Sequence, residues 1–140
     1  MKTLLTILFL ISFNFIYAQS FSQEDMVGEW SCDSVTVLDV PMDAKEKPAF
    51  EVLKKGFVNS KFSFKSDGLF TLQFPKESPS VLDGLKFVNN KKWLFDAKTS
   101  AVIIGPPNEN LMQIFVKSTG GSVFFILADT PLLLKMSKMK

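Results

Sequence analysis

Lys61-Phe-Ser-Phe-Lys-Ser-Asp-Gly-Leu-Phe-Thr-Leu-Gln-Phe74 is the stretch that decides the fold. Phe62 and Phe64 alternate with Ser63 and Lys65, Ser66-Asp67-Gly68 turns the chain, and Phe70, Leu72 and Phe74 alternate with Thr71 and Gln73. Strict period two on both arms of an Asp-Gly turn predicts a β-hairpin. All five apolar residues fall on one face, so that face is expected to be buried and the other wet.

The same pattern extends in both directions. Upstream, an opening strand is expected from about Gly28 to Val37. Downstream, Lys92 to Asp96 places Trp93 and Phe95 on one face, and Ala101 to Ile104 is stopped by Gly105-Pro106-Pro107, because proline cannot continue a ladder. Met112, Ile114 and Val116 share a face of the next strand, Ser118-Thr119-Gly120-Gly121 turns into Val123 to Leu127, and Leu132 to Lys138 closes the chain. Pro75 to Asn90 has no clear period; Leu85 to Val88 fits a ninth strand or a loop.

One helix interrupts the strands. Pro48-Ala-Phe-Glu-Val-Leu-Lys-Lys-Gly56 has proline at its start, lysines in its last turn and glycine just past it. Ala49, Val52 and Leu53 are its expected apolar stripe, with Phe50 beside them. The order is thus one strand, one short helix, then seven strands. Eight half-apolar antiparallel strands leave costly edges in an open sheet, and closure removes them. The expected fold is all-β, an eight-stranded up-and-down antiparallel barrel with one short helix after the first strand; a two-sheet sandwich is the alternative.

Composition restricts the chemistry. The chain has 140 residues, with 16 lysines, 14 acidic residues, no arginine, no histidine and one cysteine, for a formal charge of +2. No nucleic-acid footprint is present, and guanidinium forks for phosphate are excluded. The lack of histidine removes Ser-His and Cys-His nucleophile pairs and His-liganded zinc. A single cysteine excludes an internal disulfide and thiolate-cluster metal sites. No cofactor or metal is expected, and no enzyme. Asp39, Asp43 and Glu46 lack the spacing of a calcium loop and read as a solvated helix entry.

The first eighteen residues carry a different signal. Lys2, the apolar run Leu4 to Phe15 and the small residue Ala18 have the layout of a cleavable secretory signal peptide. Residues 1-18 are read as that leader and 19-140 as one domain, exported to a periplasmic or extracellular location. The run is shorter than the ~20 residues that span a bilayer, so no membrane span is expected in the mature chain.

Val27-Gly28-Glu29-Trp30 resembles the Gly-x-Trp that opens the lipocalin and wider calycin barrels. Together with the Phe-x-Phe-x-x-Asp-Gly-x-Phe hairpin, the Lys-Trp strand and the closing Thr-Pro-Leu-x-Leu, residues 26 to 138 are similar to exported bacterial lipocalin-like domains. The resemblance implies that Gly28 and Trp30 form the barrel base. In lipocalins that tryptophan pairs with an arginine near the last strand. This chain has none, and Lys135 and Lys138 are the cations in place to stand in. The Thr-Asp-Tyr-type motif and the C-terminal helix are also missing.

Phe62, Phe64, Phe70, Phe74, Trp93 and Phe95 are the candidate ligand-binding residues. An eight-stranded barrel is just wide enough to pack solid or to hold one small molecule, so the same rings fit either role. Cys32 shares the parity of Trp30 and is expected to face inward as a small hydrophobe; a reactive thiol is the alternative. The functional expectation is a module binding a hydrophobic or amphipathic small molecule. The alternative is an envelope protein-interaction module that presents Gly105 to Asn110 and Pro75 to Asp83 from a packed barrel.

Overall fold

A computed structural model describes residues 21 to 140; the leader expected at residues 1-18 lies outside the described residues. After a short helix α1 (Gln23–Met26) come β1 (Gly28–Val37), helix α2 (Lys47–Phe57), β2 (Lys61–Phe64) and β3 (Leu69–Gln73). A 3-10 helix (Ser80–Val88) follows, then β4 (Lys91–Asp96), β5 (Ala101–Ile104), β6 (Met112–Thr119), β7 (Ser122–Leu127) and β8 (Leu132–Lys138). The eight strands pair in chain order and β8 pairs back onto β1, so the sheet is a closed, up-and-down antiparallel barrel.

Register confirms the period-two reading of the hairpin. Phe62 lies opposite Leu72 and Phe64 opposite Phe70, and all four are buried. A bulge in β1 between Cys32 and Ser34 steps over Asp33. Without it Val35 would point outward; with it Trp30, Cys32 and Val35 all reach the core.

Four features differ from the sequence reading. Two further helical segments are present beside α2. The first, α1, is set by a capping box: the Ser22 hydroxyl accepts from the Asp25 N–H, and the Asp25 carboxylate accepts from the Ser22 N–H. The second, the 3-10 helix, occupies the unassigned Pro75 to Asn90 stretch, so Leu85 to Val88 is neither strand nor loop. Third, the core-facing stripe of α2 is Phe57, buried, with Phe50 and Leu53 half-buried, whereas Ala49 and Val52 are exposed. Fourth, Gly56 lies inside α2 rather than past its end, because a Cβ there would stand 2.0 Å from Leu82 Cδ1 of the 3-10 helix. Glycine at this position is a requirement of close packing.

Strand directions sort the connections to two ends. The 65–68, 97–100 and 120–121 turns, α1 and the C-terminus gather at one end, called here the closed end. Helix α2, the 3-10 helix, the 105–111 loop and the 128–131 turn gather at the other, the helical end. Among the described residues no helix is long and apolar enough to cross a membrane.

Candidate functional site

The barrel interior is built from rings in mutual contact. Phe62 is 6.2 Å from Phe70, Phe64 is 5.1 Å from Phe70 and 5.2 Å from Trp93, and Phe125 is 5.6 Å from Phe62. These distances lie in the range of edge-to-face and tilted aromatic packing. Phe62, Phe64 and Phe70 are completely buried, and Trp93 Nε1 donates to the Lys65 carbonyl at 3.0 Å. Phe95 is 6.1 Å from Phe21, near the closed end. Phe74 lies just past β3, half-buried and 5.3 Å from Phe57. Phe62, Phe64, Phe70, Trp93 and Phe95 are thus buried together in the core, whereas Phe74 packs against it partly exposed. Phe125, a further ring of the same core, was hidden in the unbroken run Val123-Phe-Phe-Ile-Leu127, where parity is illegible.

The closed end is sealed by Trp30. Its Nε1 donates to the Met26 carbonyl at 2.9 Å, and its ring packs on Phe21 and Phe125 at 6.2 and 5.6 Å. Lys138 Nζ stands 5.6 Å from the Trp30 ring centroid and donates to the Asp25 carbonyl at 2.9 Å. Of the two lysines in place to accompany the tryptophan, Lys138 does so; Lys135 points outward and is exposed. Gly28 has φ +133°, and a Cβ there would meet Lys138 Cε at 2.8 Å. Gly28, Trp30 and Lys138 therefore form one plug.

Cys32 is fully buried, with its Sγ 3.5 Å from the Ser34 carbonyl. Burial pushes the thiol up from 9.0 to about 12, the neighbouring Asp33 carboxylate adds to this, and hydrogen bonding from the Ser34 backbone, which favours the thiolate, opposes it. A thiol so placed stays protonated near neutrality and is a poor nucleophile. Asp39, Asp43 and Glu46 do not converge, and among the described residues no three His, Cys, Asp or Glu side chains are grouped to hold a metal ion.

A cleft opens at the helical end. It measures about 450 Å³ and lies between α2, the 3-10 helix, the 105–111 loop and the 128–131 turn. Leu53, Phe57, Leu85, Phe87, Leu111 and Leu132 supply apolar walls, and Asn110, Gln113, Asp129 and Thr130 stand along one side. Its floor, Phe57, stacks 6.3 Å from Phe62, so the cleft rests directly on the packed interior. Val81 and Phe87 keep 62% and 49% of their surface in solvent at its rim. The sequence reading missed this site because one of its walls, formed by Val81, Gly84, Leu85 and Phe87, belongs to the unassigned 75–90 stretch. A second groove of about 650 Å³, beside Phe74, is lined mainly by polar groups including Gln73, Ser78, Asp83 and Lys86.

No family model, curated protein or solved structure matches this chain.

Proposed function

We propose that the protein is an exported, non-enzymatic calycin-type barrel that binds an apolar or amphipathic small molecule, and that the ligand sits in the cleft at the helical end. The observation that carries this reading is the cleft itself. Its volume of about 450 Å³ is within the roughly 300–1,000 Å³ of small-molecule sites, and apolar walls with a few polar groups on one side are their usual lining. The packed interior supports the location: the barrel supplies a rigid floor at Phe57, and the two helices supply the walls. Gly28 and Trp30 at the closed end support the calycin reading. Export rests on the leader pattern at residues 1-18.

Binding of the neutral fluorophore N-phenyl-1-naphthylamine tests the reading. Gly84 lines the cleft and has open space beside it, so Gly84→Phe places a ring in the site without disturbing the barrel. Saturable binding at one site, weakened at least about tenfold in Gly84→Phe, is the expected result. Equal binding by the variant, or none by the parent protein, counts against the cleft as a ligand site.

A further inference from the structure

The outer face of the barrel is divided into two unlike halves. On β1 to β3 the outward positions carry Glu29, Ser31, Lys61, Ser63, Thr71 and Gln73, with Leu69 the large apolar exception. On β4 to β8 they carry Leu94, Ile103, Phe115, Phe124, Ile126 and Leu133, with Gln113, Thr119, Ser122 and Ser137 as the uncharged polar residues among them. The six apolar residues are neighbours across the strands. Leu94 lies opposite Ile103, and Phe115, Ile126 and Leu133 form one continuous row over three strands. Leu94 and Phe115 keep 44% and 38% of their surface in solvent. The wet face of an antiparallel barrel is ordinarily polar, so a contiguous apolar band confined to one side marks a contact surface.

Charge indicates what covers it. Lys92 flanks the band toward the helical end, and Lys117 and Lys135 bracket Phe124 toward the closed end, where the three residues share a row. All three lysines are exposed. Asp96 is the one acidic side chain at the outward positions of β4 to β8. A second copy docked through the same face would bring lysines against lysines. The band is also convex, and neither cleft at the helical end includes any of its six apolar residues, so it has no pocket for the anchor side chain on which a protein partner relies.

We infer that this half of the barrel docks on an anionic lipid surface. The apolar band enters the boundary between head groups and acyl chains, and the lysine stems lie along the band with their ammonium groups on the phosphates. The contact is peripheral; nothing crosses the bilayer. It is independent of the cleft.

Flotation with vesicles of phosphatidylcholine, with and without one-third phosphatidylglycerol, tests this on protein recovered from cells expressing the full chain. Binding to the anionic vesicles that weakens as salt is raised is expected. Leu94→Ser/Phe115→Ser should weaken it at least about tenfold, and Lys117→Glu/Lys135→Glu more than about fivefold per lysine. The charge pair sits at exposed positions, so it remains informative if the apolar pair misfolds. Comparison among these variants isolates the barrel face from any contribution of the first eighteen residues. Equal binding by both double variants, equal binding to vesicles lacking phosphatidylglycerol, or no binding overturns the inference. A dimer in solution that Phe115→Ser dissolves would also overturn it, in favour of a second copy.

Discussion

The ammonium of Lys138 stands 5.6 Å from the centroid of the Trp30 ring, across the β1–β8 seam that closes the barrel. The same nitrogen donates to the Asp25 carbonyl of α1, so one side chain ties the last strand, the first strand and the N-terminal helix together. Lys138→Ala removes both contacts and should cost about 1 kcal/mol, whereas Lys138→Arg keeps the cation and the donor and should cost less. Denaturant midpoints of the two variants check this; equal losses would mean that the ammonium contributes nothing.

Gly28 faces the same lysine. With φ +133° and Lys138 Cε only 2.8 Å from the place of a Cβ, Gly28→Ala meets both backbone strain and a clash. A loss of about 1–3 kcal/mol is expected. The lysine stem is the flexible partner, so Gly28→Ala/Lys138→Ala should lose less than the sum of the single variants. Additivity in that cycle would assign the whole cost to the backbone.

Gly56 and Leu82 are the corresponding pair at the helical end. A Cβ on Gly56 would lie 2.0 Å from Leu82 Cδ1 and 3.1 Å from its Cγ, and Leu82 is itself buried. Overpacking of about 1–3 kcal/mol should outweigh the gain of up to about 1 kcal/mol from replacing glycine in a helix. Gly56→Ala is therefore expected to lower the thermal midpoint, and adding Leu82→Val to restore part of it. Because these two helices wall the cleft, Gly56→Ala should also weaken N-phenyl-1-naphthylamine binding.

The two ends of the barrel were unequally legible from sequence. Strands with clean alternation, such as Phe62 to Phe64 and Phe70 to Leu72, reveal their inward face directly, because parity alone decides it. Residues 80 to 88 do not: Leu82, Leu85 and Val88 turn inward at the three-residue spacing of a 3-10 helix, while Val81 and Phe87, equally apolar, remain exposed. Hydrophobicity does not separate the two sets; the position of α2 does. Similarly, Ala49 and Val52 fit a helical stripe as well as Phe50 and Phe57 do, and the larger rings take the buried face. Ser22-Gln-Glu-Asp25 was readable as a capping box, and the apolar outer band was readable only once Phe124 and Ile126 had been separated from Phe125 and Leu127 by register.

Cys32 sets a pH dependence. The native thiol is pushed up from 9.0 to about 12, chiefly by burial. Between about pH 9 and pH 12 the unfolded chain releases this proton and the native chain retains it. The native state binds more protons in that window, so stability is fully present below it and falls as pH rises through it. Cys32→Ala should be less stable near neutrality because it leaves a cavity, yet its stability should decline less steeply over the alkaline window. A thiol-specific reagent at neutral pH should label Cys32 only as fast as the protein opens. Immediate labelling of the native protein would contradict the burial.

The cleft also sets a preference among amphiphiles. Thr130 is already committed: its hydroxyl donates to the Leu127 carbonyl and accepts from the Leu132 N–H. Asn110 donates to Gln113 at 3.4 Å. Asp129, held on the 128–131 turn with φ 63°, is the one charged side chain among the lining residues, and no lysine among the described residues lines the cleft. A carboxylate head would meet Asp129 with no cation to offset it, whereas an ammonium or hydroxyl head would donate to it. For one alkyl chain length, displacement of N-phenyl-1-naphthylamine should therefore rank amine above alcohol above fatty acid, with roughly tenfold between the extremes at low salt. Asp129→Asn keeps a residue that tolerates the left-handed backbone and removes only the charge, so it should compress that range without abolishing binding. If the fatty acid displaced the fluorophore as well as the amine does, Asp129 would play no part in recognition. The apolar walls would then select for the chain alone.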